Sequence, residues 1–418
     1  MVNTINTNLK HTIQYAIIQS FYWSVFCSSY SFATVFLLAR QFTNSQIGIV
    51  LGVAGLSSAF LQPAVAAFVD KAGKISIEET IVILIGMAAA LASTRFFFSD
   101  SFMTLVLLFI FELSILYTLQ PLVNTLGMRF INQGIEINFG LARGVGSMAY
   151  AIVSVILGAL TQNFGAGSLP LISVGLYIVL GITVYIFMQR PAANSEGDAL
   201  HPKSAIPENA GHGAASGLIP FLTRYKRFFV FLIAVVFTFC SHSMINNYLI
   251  QITKNVGGTA KEMGIANAIS AILELPAMIL FGFLFKKIRC SFILKFALFF
   301  FIIKAAVTLW AANVWALYAA QLLQFPSYAL FIPASIFYVN EVIDRDDSTK
   351  GQAFMTSAIT LGGVAASSLG GWLLDQSGTG GMLLVGLICA ALGAVIGILA
   401  SGKAKAKEYA ADKLYSQD

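Results

Sequence analysis

Four ionisable residues stand inside long apolar stretches of this sequence: Glu112, Arg143, Glu274 and Lys304. In the middle of a lipid bilayer a charge costs between about 3 and 17 kcal/mol, depending on the scale used. Such a residue must face a partner or a water-filled cavity, and by default it marks a path for ions or polar solutes. A guanidinium presents five donors in a rigid fork, which fits a carboxylate or several hydroxyls at once. A carboxylate in a low dielectric, with a cation near it, suits a group that takes up and releases a proton.

The surroundings of these charges sharpen the chemistry. Tyr150 lies seven residues after Arg143, close to two helical turns, so both share a face. Asn267, Ser270 and Glu274 form one polar stripe at i, i+3 and i+7. Gln19, Tyr22, Trp23, Cys27 and Tyr30 share a broad face; His242, Ser243, Asn246, Asn247 and Gln251 recur along another stretch, and Gln321, Gln324 and Tyr328 along a third. Amides, hydroxyls and aromatic faces brought together from several helices suit a neutral polyhydroxyl ligand. Simpler roles stand beside these: snorkelling of Arg143 to the headgroups, packing of Tyr150, and a fixed Glu274–Lys304 ion pair. Plain interhelical hydrogen bonding is worth only about 0.6 kcal/mol per pair. Glu112 is either a second proton site or a residue near outside water.

The elements that position these residues are membrane helices. The chain has 418 residues, 57% hydrophobic and only 11% charged, against roughly 25% charged in soluble domains. Twelve apolar runs cover 12–38, 45–69, 79–98, 101–127, 139–163, 168–188, 227–252, 260–285, 291–311, 313–339, 351–375 and 379–400. Each is long enough to cross a hydrocarbon core and too continuously apolar for a barrel strand. The stretch 189–226, rich in Ala, Gly, Ser and Pro, reads as a linker between bundles at 1–188 and 227–402, with a tail at 403–418. With the N-terminus inside, eighteen Lys and Arg fall on inner segments and four, Arg40, Arg95, Lys254 and Lys261, on outer ones. That asymmetry places both termini in the cytoplasm. It also accounts for the net charge of +6 without a nucleic-acid partner.

The bundles echo one another. At one common offset, Pro63-Ala64 matches Pro276-Ala277, and "SVILGALTQNFG" (154–165) matches "SSLGGWLLDQSG" (367–378). Parallel six-helix repeats are a known transporter plan. With the loop motif "AFVDKAGKIS", carrying Asp70, Lys71, Gly73 and Lys74, the chain resembles the major facilitator superfamily. Within it, "INFGLARGVGSMAY" (137–150) resembles the start of helix 5 in the lactose permease and related oligosaccharide and nucleoside proton symporters. The resemblance implies sugar binding by Arg143 and stacking on Tyr150, and it matches Glu274 and Lys304 to a recurring acidic and basic pair. The loop motif is degenerate, and several permease residues are replaced. Asn124 stands where a glutamate is expected, Gln324 and Ser327 where a His and a Glu are, and Ser243 and Asn246 near two expected Asp. Lactose itself is therefore not implied.

These readings give an all-α membrane protein of twelve transmembrane helices in two pseudo-symmetric six-helix bundles, a multi-pass monomer of the cell inner membrane. The expected function is transport of a sugar, oligosaccharide or nucleoside by alternating access with proton symport. The expected solute contacts are Trp23, Asn124, Arg143, Tyr150, Asn246, Asn247 and Gln324. Proton coupling falls to Glu274, Lys304 and Glu112, and the conformational motif to Asp70, Lys71 and Gly73. The alternatives are a proton-coupled exporter of amphipathic compounds and a non-transporting receptor or scaffold. Cys27, Cys240, Cys290 and Cys389 lie far apart, without metal-ligand spacing, and no nucleotide-binding loop or nucleophile arrangement occurs. No enzyme activity, metal or cofactor is expected.

Overall fold

Lipid offers no hydrogen-bond partner to a backbone, so an apolar run must satisfy its own N–H and C=O groups as a helix. In the computed structural model of the chain, residues 2–72, 76–98, 101–132, 137–188, 221, 223–285, 287–344 and 347–401 are described. The helices are α1 Val2–Phe26, α2 Ala33–Ala39, α3 Asn44–Ala72, α4 Ile77–Phe97, α5 Phe102–Asn132, α6 Phe139–Phe164 and α7 Leu169–Met188. After residue 220 come α8 Lys226–Asn247, α9 Leu249–Asn255, α10 Ala260–Ile272, α11 Glu274–Phe285 and α12 Cys290–Leu309. The last three are α13 Val314–Leu322, α14 Leu330–Val342 and α15 Ser348–Ala400. Ten of the described helical stretches are long and apolar enough to cross a membrane.

Polar residues at the run ends fix where helices begin. Ser76 and Glu79 form a capping box at the start of α4, with Oε2 of Glu79 accepting from the Ser76 N–H at 2.7 Å. Thr259 and Glu262 do the same for α10. Each box satisfies two donors that the first turn would otherwise leave open.

Four departures from unbroken helices matter. The first apolar run is interrupted by a π turn, Cys27–Ser31, where Phe32 N donates to Cys27 O at 3.2 Å. The eighth run divides at Leu273 into α10 and α11, each too short to count as a span alone. The eleventh and twelfth runs join into α15 across Gly378, whose φ of 68° breaks the helix. Gly165, its partner in the sequence repeat, also has positive φ, 78°. A second π turn, Phe325–Ala329, separates α13 from α14.

The repeat also makes the same contact twice. In α6, Gly158 and Ser154 press on the start of α10: a Cβ on Gly158 would lie 2.6 Å from Ala260 O, and one on Gly264 would strike Ser154 O. In α15, Gly371 and Ser367 press on the start of α3: a Cβ on Gly371 would strike Asn44 O, and one on Gly48 would strike Ser367 O. Glycine allows helix backbones to approach this closely.

Arg95, counted among the outer-side cations, is not exposed there. It is buried against Glu112. Gly73 lies outside the described residues, as do most of 189–226 and all of 403–418; Asp70 and Lys71 close α3.

Candidate functional site

A continuous polar line crosses the interior from α1 to α11. Tyr15 OH donates to Val123 O at 3.1 Å and accepts from Gln19 Nε2 at 2.6 Å. Gln19 Nε2 also reaches Asn124 Oδ1 at 3.3 Å, while its Oε1 accepts from Trp23 Nε1 at 3.1 Å. The guanidinium of Arg143 lies over the Trp23 ring, 3.9 Å from its centroid. Arg143 Nη1 then donates to Ser147 Oγ at 2.9 Å, and Ser147 Oγ donates to Glu274 Oε2 at 3.2 Å.

Local helix geometry assembles this line. Gln19 and Trp23 are one turn apart on α1, and Arg143 and Ser147 one turn apart on α6, so each pair shares a face. Gly146 lets α6 approach α1, since a Cβ there would lie 2.8 Å from the Trp23 ring. Glu274 opens α11, just beyond the Leu273 break. Ser147 is buried, whereas Arg143 and Glu274 are half-buried. The hydroxyl therefore joins a cation from before residue 189 to a carboxylate from after residue 220, and it can accept from one while donating to the other.

A second polar group borders Glu274. Lys304, 1% exposed, donates to Gln324 Oε1 at 2.5 Å. It stays within electrostatic reach of Glu274 but forms no direct pair with it. Ser270 Oγ donates to Gln321 Oε1 at 2.7 Å. The His242 ring stacks on Tyr328, 4.7 Å between centroids at 13°, and accepts at Nε2 from Asn246 Nδ2 at 2.9 Å. Asn246 is exposed although it lies within an apolar helix, as expected of a cavity wall. Among the described residues, no three of His, Cys, Asp and Glu gather as a metal site would require.

The other expected residues are elsewhere. Tyr150 shares a 2.7 Å hydrogen bond with Ser31 instead of meeting Arg143. Asn247 has both amide ends engaged: Oδ1 accepts from Tyr30 OH at 2.6 Å, and Nδ2 donates to Ser367 Oγ at 2.9 Å. Its carbonyl accepts from Thr34 Oγ1 at 2.9 Å. Glu112 pairs with Arg95 at 3.0 Å, away from the line. The bridging Ser147 is absent from the residues expected on sequence grounds, although its i+4 spacing from Arg143 is its signal.

Other hydrogen bonds between the parts before 189 and after 220 lie toward one end of the bundle, where the chain turns at 40–44, 165–168, 256–259 and 378. Asp375 accepts from the N–H groups of Asn44 and Ser45 at 3.1 and 2.7 Å and from their side chains at 2.8 and 2.5 Å. Gln251 Nε2 donates to Asn44 Oδ1 at 2.8 Å, and Thr259 Oγ1 to Gln162 Oε1 at 2.9 Å. An apolar groove lined by Val65, Phe68, Ile83 and Leu84 lies apart from these polar groups, between α3 and α4.

Known proteins share this architecture. The MFS_1 like family matches residues 12–385. YwbF, an uncharacterized transporter of Bacillus subtilis (strain 168), is 22% identical over 379 residues, spanning 89% of this chain and 87% of its own. The solved nucleoside transporter NupG superposes with a TM-score of 0.75 at 16% identity, over 93% of this chain and 98% of that one. A bacterial homolog to the human lysosomal transporter Spinster, inward-facing and occupied, gives 0.66 at 11% identity, over 94% and 97%. At these identities the solved structures establish a shared fold.

Proposed function

Since the chain belongs to the MFS_1 like family of the major facilitator superfamily, we propose that it carries a small polar solute across the membrane by alternating access, in symport with protons. The observation that carries this reading is the Arg143–Ser147–Glu274 bridge, which joins the two parts of the chain through one hydroxyl. A solute with adjacent hydroxyls competes for the same donors and acceptors. Arg143 binds it through the guanidinium fork and Trp23 covers its apolar face. Ionised Glu274 holds the Ser147 bridge, whereas protonated Glu274 releases it and binds a solute hydroxyl, donating through its O–H and accepting through its carbonyl oxygen, which couples proton and solute occupancy.

In this reading the chain crosses the membrane twelve times. The ten apolar stretches become twelve when α15 is divided at Gly378 and α10–α11 is taken as one broken span. Six helices precede the linker and six come after it, with both termini cytoplasmic by the Lys and Arg bias. The hydrogen bonds at the turn-bearing end then seal the outer face, and the site opens inward. Asn247 belongs to that seal, and Asn246, Gln324 and Asn124 border the cavity. The likeness to NupG puts nucleosides first among candidate solutes, ahead of sugars and oligosaccharides.

Purified protein in proteoliposomes with an internal pH indicator tests this. Addition of nucleosides and then sugars should cause proton entry together with the solute. Proton movement opposite to the solute would identify an exchanger or exporter, and no solute movement at all would favour a receptor.

A further inference from the structure

The close helix contact that the repeat makes twice is not equally well held at its two places. Gly158, Ser154 and Gln162 on the α6–α10 seam correspond to Gly371, Ser367 and Asp375 on the α3–α15 seam. At the α3–α15 seam these polar groups are satisfied. Ser367 Oγ accepts from Asn247 Nδ2 and donates to Gly363 O, both at 2.9 Å. Asp375 accepts from both N–H groups and both side chains of Asn44 and Ser45 across the seam. Asn44 Oδ1 takes a further bond from Gln251 Nε2 at 2.8 Å.

At the α6–α10 seam the equivalent groups are not. Ser154 is fully buried, and its hydroxyl has no hydrogen-bond partner among the described residues, with only the weakly bonding Cys27 thiol near it. Thr161, 7% exposed, likewise has no partner there. The bond across this seam runs from Thr259 Oγ1 to Gln162 Oε1 at 2.9 Å. Thr259 has one hydroxyl hydrogen, and Glu262 Oε2 competes for it within the α10 capping box. A carboxylate is the stronger acceptor, so Gln162 holds the weaker share. A buried hydroxyl without a partner carries its desolvation cost while the seam is shut and recovers it when water enters. Ser147, Ser154 and Thr161 recur every seven residues and share one face of α6, which runs from the Glu274 bridge to the turn-bearing end.

We infer that the α6–α10 seam is the one that parts first at the turn-bearing end, with the α3–α15 seam as the pivot, and that the hydroxyl-bearing face of α6 is the solute's way in to Ser147. Opening there exposes Ser154 and Thr161 to water and to solute hydroxyls, on the helix that carries Arg143 and Ser147. The way in rests on the transporter reading; the inequality of the two seams does not.

Thiol labelling of the full-length protein in nanodiscs tests the seams without any solute. Thr161→Cys and Leu374→Cys place one thiol each at equivalent buried positions of the two seams. A water-soluble maleimide, located by peptide mass, should react with Thr161→Cys about fivefold faster or more, since reaction there needs only the easier opening. Equal rates, or faster reaction of Leu374→Cys, would overturn the inference. Gln162→Asp/Glu262→Gln gives the α6–α10 seam the acid and amide that the other seam has in Asp375 and Gln46. It should slow labelling of Thr161→Cys by about fivefold; an unchanged rate would overturn the stated cause. If a cysteine variant does not reach the membrane, spin labels at the exposed pairs Asn163–Lys261 and Ala39–Gln376 replace it. The open fraction should be larger across the first pair, and equal fractions would overturn the inference. The way in is tested by attaching a bulky maleimide to Thr161→Cys before reconstitution, with the nucleoside or sugar that wild-type protein takes up as the probe. Uptake should be lost, and uptake at the unlabelled rate would refute that path. If wild-type protein moves no solute, the transporter reading fails while the labelling rates still decide between the seams.

Discussion

Asp375 caps α3 from across the bundle, and removing it should shift the balance between closed and open states at that end. The carboxylate accepts two backbone N–H groups from Asn44 and Ser45 and two side-chain donors. A helix N-cap is worth typically about 1 kcal/mol, and a negative charge at a helix N-terminus about 0.3–1 kcal/mol more. Asp375 is exposed, so solvent screening discounts the charge contribution. The remainder, about 1–1.5 kcal/mol, shifts a two-state population by roughly 5- to 13-fold. Spin labels at Ala39 and Gln376, both exposed, should report this by pulsed electron resonance. In Asp375→Ala the long-distance population should grow by that factor. In Asp375→Asn, which keeps an acceptor and loses the charge, it should grow by less. An Asp375→Ala distribution that superposes on wild type would show that the cap holds nothing closed, and would remove the argument for a seal at this end.

The same contacts set three further expectations. Arg143→Lys should reach the membrane normally yet bind solute at least about tenfold more weakly, because an ammonium reproduces neither the planar fork nor its stacking on Trp23; titration calorimetry with the transported solute measures this. Gly264→Leu places a side chain against the Ser154 carbonyl. It should part α6 from α10, so a cysteine at Asn246 becomes reactive to a maleimide added from that side; unchanged reactivity would mean the helices yield elsewhere. Gln324→Leu strips Lys304 of its direct hydrogen-bond partner, at about 1.5–3 kcal/mol for a lost hydrogen bond to a charged group. Tm should fall by several degrees, and Lys304→Met in the same protein should restore most of it.

The positions of the helices were legible because lipid enforces a simple rule: an apolar run becomes a helix. The run 139–163 became α6 Phe139–Phe164, and 291–311 became α12 Cys290–Leu309, each shifted by a residue or two. The two π turns were not legible, since hydropathy carries no information about which carbonyl a given N–H selects. Arg143 and Glu274 stood out as charges in apolar runs, but Ser147, which joins them, looks in sequence like one more small residue for helix packing. Arg95 reads in sequence as one more outer-side cation; only the approach of α4 to α5 reveals Glu112 as its partner. The likeness between Gly158 and Gly371 was visible as a repeat, and the structure gives its reason in two equivalent helix contacts.

The central claim is that Glu274 links proton occupancy to solute movement through Ser147 and Arg143. Glu274→Gln keeps the shape and the hydrogen-bonding oxygen and removes the titration. The decisive measurement compares two rates in the same proteoliposomes: solute accumulation driven by a pH gradient, and solute counterflow without one. The account predicts that Glu274→Gln abolishes accumulation while counterflow persists. Accumulation at the wild-type level would contradict it, leaving Glu274 a structural acceptor for Ser147.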